Sequence, residues 1–406
     1  MKKHFQIIFL FLLIVISFNF FEAALFREGV AKYIQFGYIL IAIIISLPYA
    51  FPKWEGFVVP VQLIFGAVTL SILMAYISWG QGFTDSLKAT VPLMLWIFFF
   101  YLIKTKIPAS TLEKIIIIYG GIYVLLYLYQ FAESGTVLFG WQEEFSTDRG
   151  ITRVILPGGG VFILAAFMAL NKSTSQSHNR AFWIFFAALG IVIPVMQVTR
   201  QFIAATVFLY LVHLLRKTDI VKKTIMLVSF AVLIIVVSNI NHPIVKGLKD
   251  VQKQTYAQGK EYIRVKAGTY YLIDFSPNLL SRVLGNGVPY GDKSEYGKHE
   301  LKIRNEKLYY LSDIGLIAVY AMFGIIAVIG LILIWIKSFI IPLPAKYMYV
   351  KYYLWFLLIT SLTSHTVYHN SFIITTIMAL SIYQQNIRWD NKKEKLNELL
   401  ANMPEK

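Results

Sequence analysis

The sequence predicts an all-α protein with many membrane-spanning helices. Hydrophobic residues make up 57% of the 406 residues, and the mean hydropathy is +0.62. Charged residues make up only 15%, whereas soluble globular domains carry about 25%. Apolar runs close to the roughly 20 residues that cross a bilayer recur along the whole chain. We therefore predict a polytopic membrane protein with about twelve transmembrane helices and one long extracytoplasmic loop that contains short helices.

Each predicted transmembrane helix corresponds to one apolar run bounded by polar residues. The runs cover residues 5–21, 30–50, 56–77, 89–103, 114–131, 157–170, 181–198, 201–215, 223–240, 309–336, 350–366 and 370–387. The apolar stretch from 181 to 215 is too long for one ordinary span, and Pro194 and the polar segment 199–201 interrupt it. We therefore predict two helices there, joined by a tight hairpin.

These runs divide the chain into four parts. The parts are helices in 1–240, a large extracytoplasmic loop at 241–308, helices in 309–387 and a cytoplasmic tail at 388–406. Residues 1–24 also resemble a cleaved signal peptide, because Lys2 and Lys3 precede an apolar core. Cleavage would leave an odd number of spans, so we favour an uncleaved first helix.

The distribution of Lys and Arg predicts which side each loop occupies, because cytoplasmic loops are enriched in these residues. With both termini in the cytoplasm, the cytoplasmic segments hold 20 basic and 7 acidic residues, and the short outer segments hold 6 and 7. The net charge of +16 is therefore mainly a signal of membrane orientation. We expect no nucleic-acid partner.

The loop 241–308 is the long hydrophilic part of the chain, and we expect the chemistry there or directly beneath it. It contains 12 basic residues, 7 acidic residues and six Tyr. Loops of this length largely escape the orientation rule, so the excess of positive charge indicates an anionic ligand. Arg264 would project from an amphipathic helix at the membrane surface, and a solvated surface charge is the alternative.

Two charged residues beside predicted spans are further candidates. Arg200 begins a helix at the outer interface, where its guanidinium could hold a phosphate by forked hydrogen bonds. Anchoring of the helix end is the alternative. Asp313 lies near the start of the tenth span. It would favour the positive end of the helix dipole there, while its depth in the membrane makes it a candidate for substrate binding.

Two pairs of residues complete the candidate site. Arg149 and Arg153 add positive charge just before the Gly-rich start of the sixth span. His365 and His369 stand four residues apart, but Thr366 occupies the position of the Glu in the zinc motif H-E-x-x-H. We interpret the two histidines as polar lining of a cavity, and we predict neither a metal nor a cofactor.

Several short segments together resemble the O-antigen ligase and Wzy-type polysaccharide polymerase superfamily. They are the helix start Thr199-Arg200-Gln201-Phe202-Ile203-Ala204-Ala205, the Arg264 segment, the turn Leu284-Gly285-Asn286-Gly287 and the stretch from Asn305 to Leu316. The similarity covers mostly residues 145–335. It implies a bacterial cytoplasmic (inner) membrane, a donor oligosaccharide linked to undecaprenyl diphosphate, surrounding membrane lipid, and a chain-length regulator and a flippase as partners.

The resemblance also implies metal-independent transfer of a glycan to a sugar hydroxyl outside the cytoplasmic membrane. Arg200 and Arg264 match the two arginines expected to contact the diphosphate. One position departs from the pattern: ligases have a His immediately before the Asn that leads into the tenth span, and here it is Arg304. This difference favours the polymerase branch. The candidates to accept the acceptor's proton in place of that His are His299, Glu300 and Glu306.

The leading hypothesis is an inverting polymerase that moves a growing glycan from one polyprenyl diphosphate onto the sugar repeat of another carrier. The alternatives are a ligase that passes the glycan to a lipid A core or a protein, a flippase for lipid-linked oligosaccharide, and a membrane scaffold without activity. A transporter should carry charged residues at mid-membrane, whereas polar residues here gather toward one face. Aromatic side chains that could stack on sugar rings are Tyr256, Tyr262, Tyr270, Tyr271 and Trp141.

Overall fold

A computed structural model shows a helical protein. It describes residues 2–18, 23, 30–133, 135–140, 154–175, 179–216, 221, 224 and 261–401. The α-helices are α1 (Lys2–Ser17), α2 (Val30–Ser46), α3 (Val58–Trp79), α4 (Phe83–Thr90), α5 (Phe98–Thr105), α6 (Ala109–Ala132), α7 (Gly159–Thr174), α8 (Arg180–Met196), α9 (Arg200–Leu215), α10 (Ile263–Ile273), α11 (Leu279–Leu284), α12 (Glu295–Lys307), α13 (Leu316–Ile340), α14 (Met348–Thr360) and α15 (Asn370–Ala401). Short 3-10 helices lie at Leu47–Tyr49, Val91–Ile97, Leu311–Asp313, Ala345–Tyr347 and His365–Val367. The described residues contain no β-strand.

Four helical segments are long and apolar enough to cross a membrane. They are α3, the segment Phe83–Thr105, α6 and α13, with mean hydropathies of 2.1, 1.7, 1.8 and 2.8. Shorter apolar helices coincide with α1, α2, α7, α8 and α9. These helices indicate a helical membrane protein, and the number of twelve spans stays a prediction.

Each predicted apolar segment among the described residues overlaps a helix, but the bounds do not always agree. Segment 89–103 comprises the end of α4, a 3-10 helix and α5. Segment 309–336 becomes α-helical only at Leu316, and the helix in segment 350–366 ends at Thr360. The ninth segment, 223–240, and the first part of the predicted loop, 241–260, lie outside the described residues. The predicted hairpin is present, since α8 ends at Met196 and α9 begins at Arg200. Much of the predicted tail continues the last apolar helix, because α15 ends only at Ala401.

Residues 261–308 contain the helices α10 to α12, and we call this segment the cap. Gln81, which is fully buried between α3 and α4, holds the cap against the helices. Its side-chain nitrogen donates to Val288 O at 2.8 Å. Its side-chain oxygen accepts from Tyr290 N–H and from Ser294 Oγ, both at 3.0 Å. Since a buried amide must be hydrogen-bonded to be tolerated, these contacts fix the cap relative to the end of α3.

The helix α13 is interrupted at Gly324, whose φ of 73° and ψ of −176° are not helical. Glycine suits this position because other residues rarely adopt a positive φ. The interruption lets two carbonyls of α13 accept hydrogen bonds from the turn that precedes it in sequence. Asn286 N–H donates to Ala321 O at 2.9 Å, and Gly287 N–H donates to Met322 O at 2.8 Å. The turn predicted from the sequence therefore packs into a gap in the helix.

The Asn286 side chain, which belongs to the cap, is fully buried. Its nitrogen donates to Ser276 Oγ and to Ala321 O, both at 2.9 Å. Its oxygen accepts from Trp79 Nε1 at 3.2 Å. This single amide therefore connects the cap to both α3 and α13.

The bundle has two ends, which carry different loops. At one end Gln201, near the start of α9, hydrogen-bonds to Thr363 beyond the end of α14. Leu316 N–H, at the start of α13, donates to Ser361 O at 2.7 Å. We call this end, together with the cap, the cap end. The helices α9 and α14 connect it to the opposite end, which we call the base.

Candidate active site at the cap end

A cavity of about 450 Å³ lies at the cap end, between α12 and the segment that leads into α13. We call it the cap cavity. Glu300 and Arg304 line it from α12, Asp292 lines it from the preceding loop, and Tyr310 and Ser312 line it from the segment before α13. The cavity therefore combines carboxyl groups, a guanidinium and hydroxyl groups, which can together bind an anion and move a proton.

Glu300, in this cavity, has a pKa well above the usual value of a glutamate. The hydroxyl of the buried Tyr271 donates to both Glu300 carboxylate oxygens, at 2.8 and 2.9 Å. Burial raises the pKa of Glu300 to about 7, against the opposing effects of the Tyr271 hydrogen bond and the Arg304 charge. A carboxyl with this pKa is partly ionised at neutral pH, so it can accept a proton and release it again.

The helix α12 places Glu300 and Arg304 on the same face, because residues four apart in a helix lie one above the other. Ser294 caps the start of this helix with its side chain. At the other end, Lys307 Nζ lies 4.1 Å from the centre of the Tyr270 ring of α10. Contacts at both ends therefore hold α12 and its two cavity residues in place.

Arg264 and Asp313 form an ion pair at the cap end. The Arg264 guanidinium, on the second residue of α10, lies 3.3 Å from an Asp313 carboxylate oxygen. Asp313 ends a 3-10 turn before α13 and does not lie within the long apolar helix. The two side chains are 34% and 41% exposed, so solvent screens the pair and it contributes at most about 1 kcal/mol to stability. An anionic ligand can therefore compete with Asp313 for Arg264.

His365 and His369 lie beside this ion pair. The His365 ring lies near the Ser312 backbone and the Asp313 charge. The centres of the two imidazole rings are 4.9 Å apart. His369 Nδ1 accepts from Ser371 N–H at 3.4 Å. Because Ser312 lines the cap cavity, the histidines form a polar group directly behind its wall.

His299 lies away from the cavity lining. Its ring stacks on Trp79, with 4.2 Å between ring centres. Its Nε2 atom is buried without a hydrogen-bond partner among the residues that the structure describes. Burial and the charges of Lys302 and Lys307 lower the pKa of His299, so the ring is neutral at neutral pH. Of these two adjacent candidates, Glu300 is the one placed in the cavity.

Arg200 begins α9 at the cap end, next to the Gln201 that binds Thr363. The structure brings six further candidates together around the cap cavity and the ion pair: Arg264, Arg304, Asp313, Tyr271, His365 and His369. Candidates that lie outside the described residues are Arg149, Arg153, Trp141 and Tyr256.

From the sequence, Glu300 was only one of three candidates to accept the acceptor's proton in place of the histidine found in ligases. The contact between Tyr271 and Glu300 joins two separate helices, and no spacing rule connects residues on different helices of an irregular cap. One signal was present in the sequence. Glu300 and Arg304 stand four apart on a hydrophilic helix that begins after a capping Ser294.

No protein-family model matches the chain, and a comparison with curated proteins finds no match. The functional assignment therefore depends on the cap cavity, on the ion pair beside it and on the resemblance of the sequence segments.

Proposed function

We propose that the protein is a membrane glycosyltransferase, and specifically a polysaccharide polymerase that moves a glycan from undecaprenyl diphosphate onto a lipid-linked sugar repeat. One observation carries the proposal: Glu300, whose pKa is about 7, lies one helical turn from Arg304 in the cap cavity. Glycosyl transfer to a hydroxyl requires a proton acceptor and positive charge that stabilises the leaving diphosphate. The cap end offers both groups.

In the proposed reaction, a hydroxyl of the acceptor sugar attacks the anomeric carbon of the donor and forms the new glycosidic bond. The bond from that carbon to the diphosphate oxygen breaks, and its electron pair leaves with undecaprenyl diphosphate. The hydroxyl proton passes to Glu300, which Tyr271 orients through its hydrogen bond. The Glu300 carboxyl then releases this proton to water. Attack from the face opposite the diphosphate inverts the anomeric configuration.

Arginines at the cap end would stabilise the leaving diphosphate: Arg200, Arg264 and Arg304. Negative charge on the leaving oxygen grows as the bond breaks, so guanidinium groups already in place stabilise the transition state more than the bound donor. Arg264 is paired with Asp313 in the structure. In the proposed complex the diphosphate replaces the Asp313 carboxylate as the partner of Arg264.

The distribution of charge supports an enzyme over a flippase. The helix α3 contains no charged residue, and the other long apolar segments carry their charges near their ends. A transporter would place its polar binding groups near the middle of the membrane. A ligase would use the same cap groups with a different acceptor, and it is the alternative within the same reaction class.

A transfer assay with purified protein in liposomes tests the proposal. The substrate is lipid-linked repeat units isolated from a strain that lacks the gene. Glycan length on a gel reports transfer. We expect the Arg200→Ala protein to transfer at least about 100-fold more slowly than wild type, because a cationic hydrogen-bond donor to the leaving group is removed. An Arg200→Ala protein that polymerises the repeats at the wild-type rate would contradict the assignment.

The deletion strain separates the candidate functions. Single repeat units on the lipid A core indicate a lost polymerase, and unattached long polymer indicates a lost ligase. Absence of exported glycan indicates a lost flippase. An unchanged glycan would support a scaffold without activity.

A further inference from the structure

A second cavity, of about 530 Å³, lies at the base. We call it the base cavity. It is lined by the ends of α7 and α9 and by the start of α14. Since α14 contains 13 residues, it separates the two ends of the bundle by about 20 Å. The base cavity is therefore distinct from the cap cavity.

Hydrogen bonds connect polar side chains around the base cavity. Arg216 lies close enough to Tyr352 for its charge to act on the hydroxyl group. The Tyr352 oxygen lies 3.1 Å from His213 Nδ1, and His213 Nε2 lies 2.7 Å from Thr174 Oγ1. On the neighbouring wall, Asn171 Nδ2 donates to a backbone carbonyl of the segment before α14, at 2.9 Å. These bonds connect the ends of α7 and α9 to the start of α14. The polar side chains of the cavity wall are therefore held in a defined arrangement.

The base cavity has an excess of positive charge. Arg216 and Lys346 line it, and the buried Lys351 interacts with the Arg216 charge. None of the described lining residues is Asp or Glu. Glu113, on α6, is occupied by other partners, because Lys172 lies 3.3 Å from one of its oxygens and the Tyr349 hydroxyl donates to the other at 2.9 Å. Among the described residues, no carboxylate pairs with Arg216 or Lys346, so this positive charge can attract an external anion.

The lining is also partly apolar, which indicates the kind of anion. Leu214, Ala345 and Met348 line the same cavity as Arg216 and Lys346. The Leu214 side chain is 38% exposed. A free inorganic ion would gain nothing from this apolar surface, whereas a molecule with a charged head and hydrocarbon chains would bury part of it.

We propose that the base cavity binds the phosphate group of an anionic membrane lipid. Arg216 and Lys346 hold the phosphate oxygens, and the apolar wall contacts the first part of the acyl chains. The proposal does not depend on the glycosyltransferase assignment, because none of these residues belongs to the cap end.

Native mass spectrometry of the detergent-purified full chain tests this proposal with phosphatidylglycerol and phosphatidylcholine as probes. We expect wild type to bind phosphatidylglycerol more tightly than phosphatidylcholine. The double variant Arg216→Gln/Lys346→Gln should bind phosphatidylglycerol at least about 10-fold more weakly than wild type, since each basic residue near a membrane surface adds to the attraction for anionic lipid. The matched control Lys53→Gln/Lys88→Gln removes the same charge from exposed positions elsewhere and should bind like wild type.

The source of the phosphate is tested by competition. Millimolar inorganic phosphate should leave phosphatidylglycerol binding unchanged. If inorganic phosphate displaces the lipid or binds equally well, the lipid assignment is overturned and the cavity is a site for soluble phosphate. Equal losses in the double variant and its control would show non-specific attraction of lipid by net charge and would overturn the proposal.

A photoactivatable phosphatidylglycerol tests the same site without a substitution. It should label peptides that contain residues 171–175, 213–216 or 345–352 of the wild-type protein. Labelling confined to other peptides would overturn the proposal even if the double variant failed to fold.

Discussion

The cap cavity and the base cavity lie at opposite ends of the same helices, and they differ in the charges that line them. Glu300, Asp292 and Arg304 give the cap cavity both signs of charge. The described residues that line the base cavity include Arg216 and Lys346 but no carboxylate. A site that moves a proton needs a group that is both ionised and neutral near working pH, whereas a site that holds an anion needs only permanent positive charge. This difference is the reason why we propose catalysis at the cap cavity and binding of an anion at the base cavity.

The largest difference between the two ends should appear when Glu300 is replaced. Glu300→Gln keeps the shape of the side chain but removes the proton acceptor, so glycan transfer should fall by about 10²–10⁴-fold. Lipid binding at the base should stay unchanged. Transfer by purified protein in liposomes and native mass spectrometry measure the two properties.

The matched control for this substitution is Glu306→Gln on the same helix. Glu306 is exposed and lies 3.9 Å from Lys302, so its loss should change transfer by less than about twofold. Equal transfer rates for Glu300→Gln and Glu306→Gln would contradict the proposed catalytic role of the cap cavity.

The next largest effect should follow from substitution of the cap-end ion pair. Arg264→Ala should slow transfer by about 100-fold, because a guanidinium that stabilises the leaving diphosphate is lost. Asp313→Asn removes the competitor for Arg264, so the KM for the donor should fall. Initial rates at several donor concentrations separate these outcomes. If both variants behaved alike, the ion pair would serve only to hold α10 to the segment before α13.

A smaller effect, on stability, is expected from the buried amides at the two ends. Asn286→Ala removes hydrogen bonds to Trp79, Ser276 and Ala321, and it should lower the free energy of unfolding by about 2 kcal/mol. Asn171→Ala removes one hydrogen bond at the base and should cost about 1 kcal/mol. The midpoint of thermal unfolding in detergent gives the comparison. A larger loss for Asn171→Ala would show that the Asn286 turn is not what fixes the cap against α3 and α13.

The sequence predicted where apolar helices lie, because long apolar runs have few alternatives in a membrane protein. It did not predict all their bounds, since α13 begins at Leu316 whereas the predicted span begins at 309. It also predicted the hairpin after Pro194, since proline and a polar turn interrupt the apolar stretch. The interruption of α13 at Gly324 was not predicted. A glycine within an apolar helix is common, and only the packing of the Asn286 turn against it shows that the helix opens there.

The candidate site was predicted in part. Arg264 and Asp313 were each predicted as candidates. Their contact joins α10 to a 3-10 turn, and no regular spacing in the sequence predicts such a contact. His299 and Glu300 are neighbours in the sequence, yet they point about 100° apart on the same helix. One therefore packs on Trp79 while the other lines the cavity. Only the position of the helix in three dimensions distinguishes them.

The central claim is that Glu300 accepts the proton of the acceptor hydroxyl, and the pH dependence of transfer tests it most directly. The ionised carboxyl is the active form, and its fraction falls about tenfold for each pH unit below the pKa. Because the pKa of Glu300 is about 7, the kcat/KM of wild type should rise with pH and level off near that value. The residual activity of Glu300→Gln should lack this inflection. An inflection at the same pH in both proteins would contradict the claim.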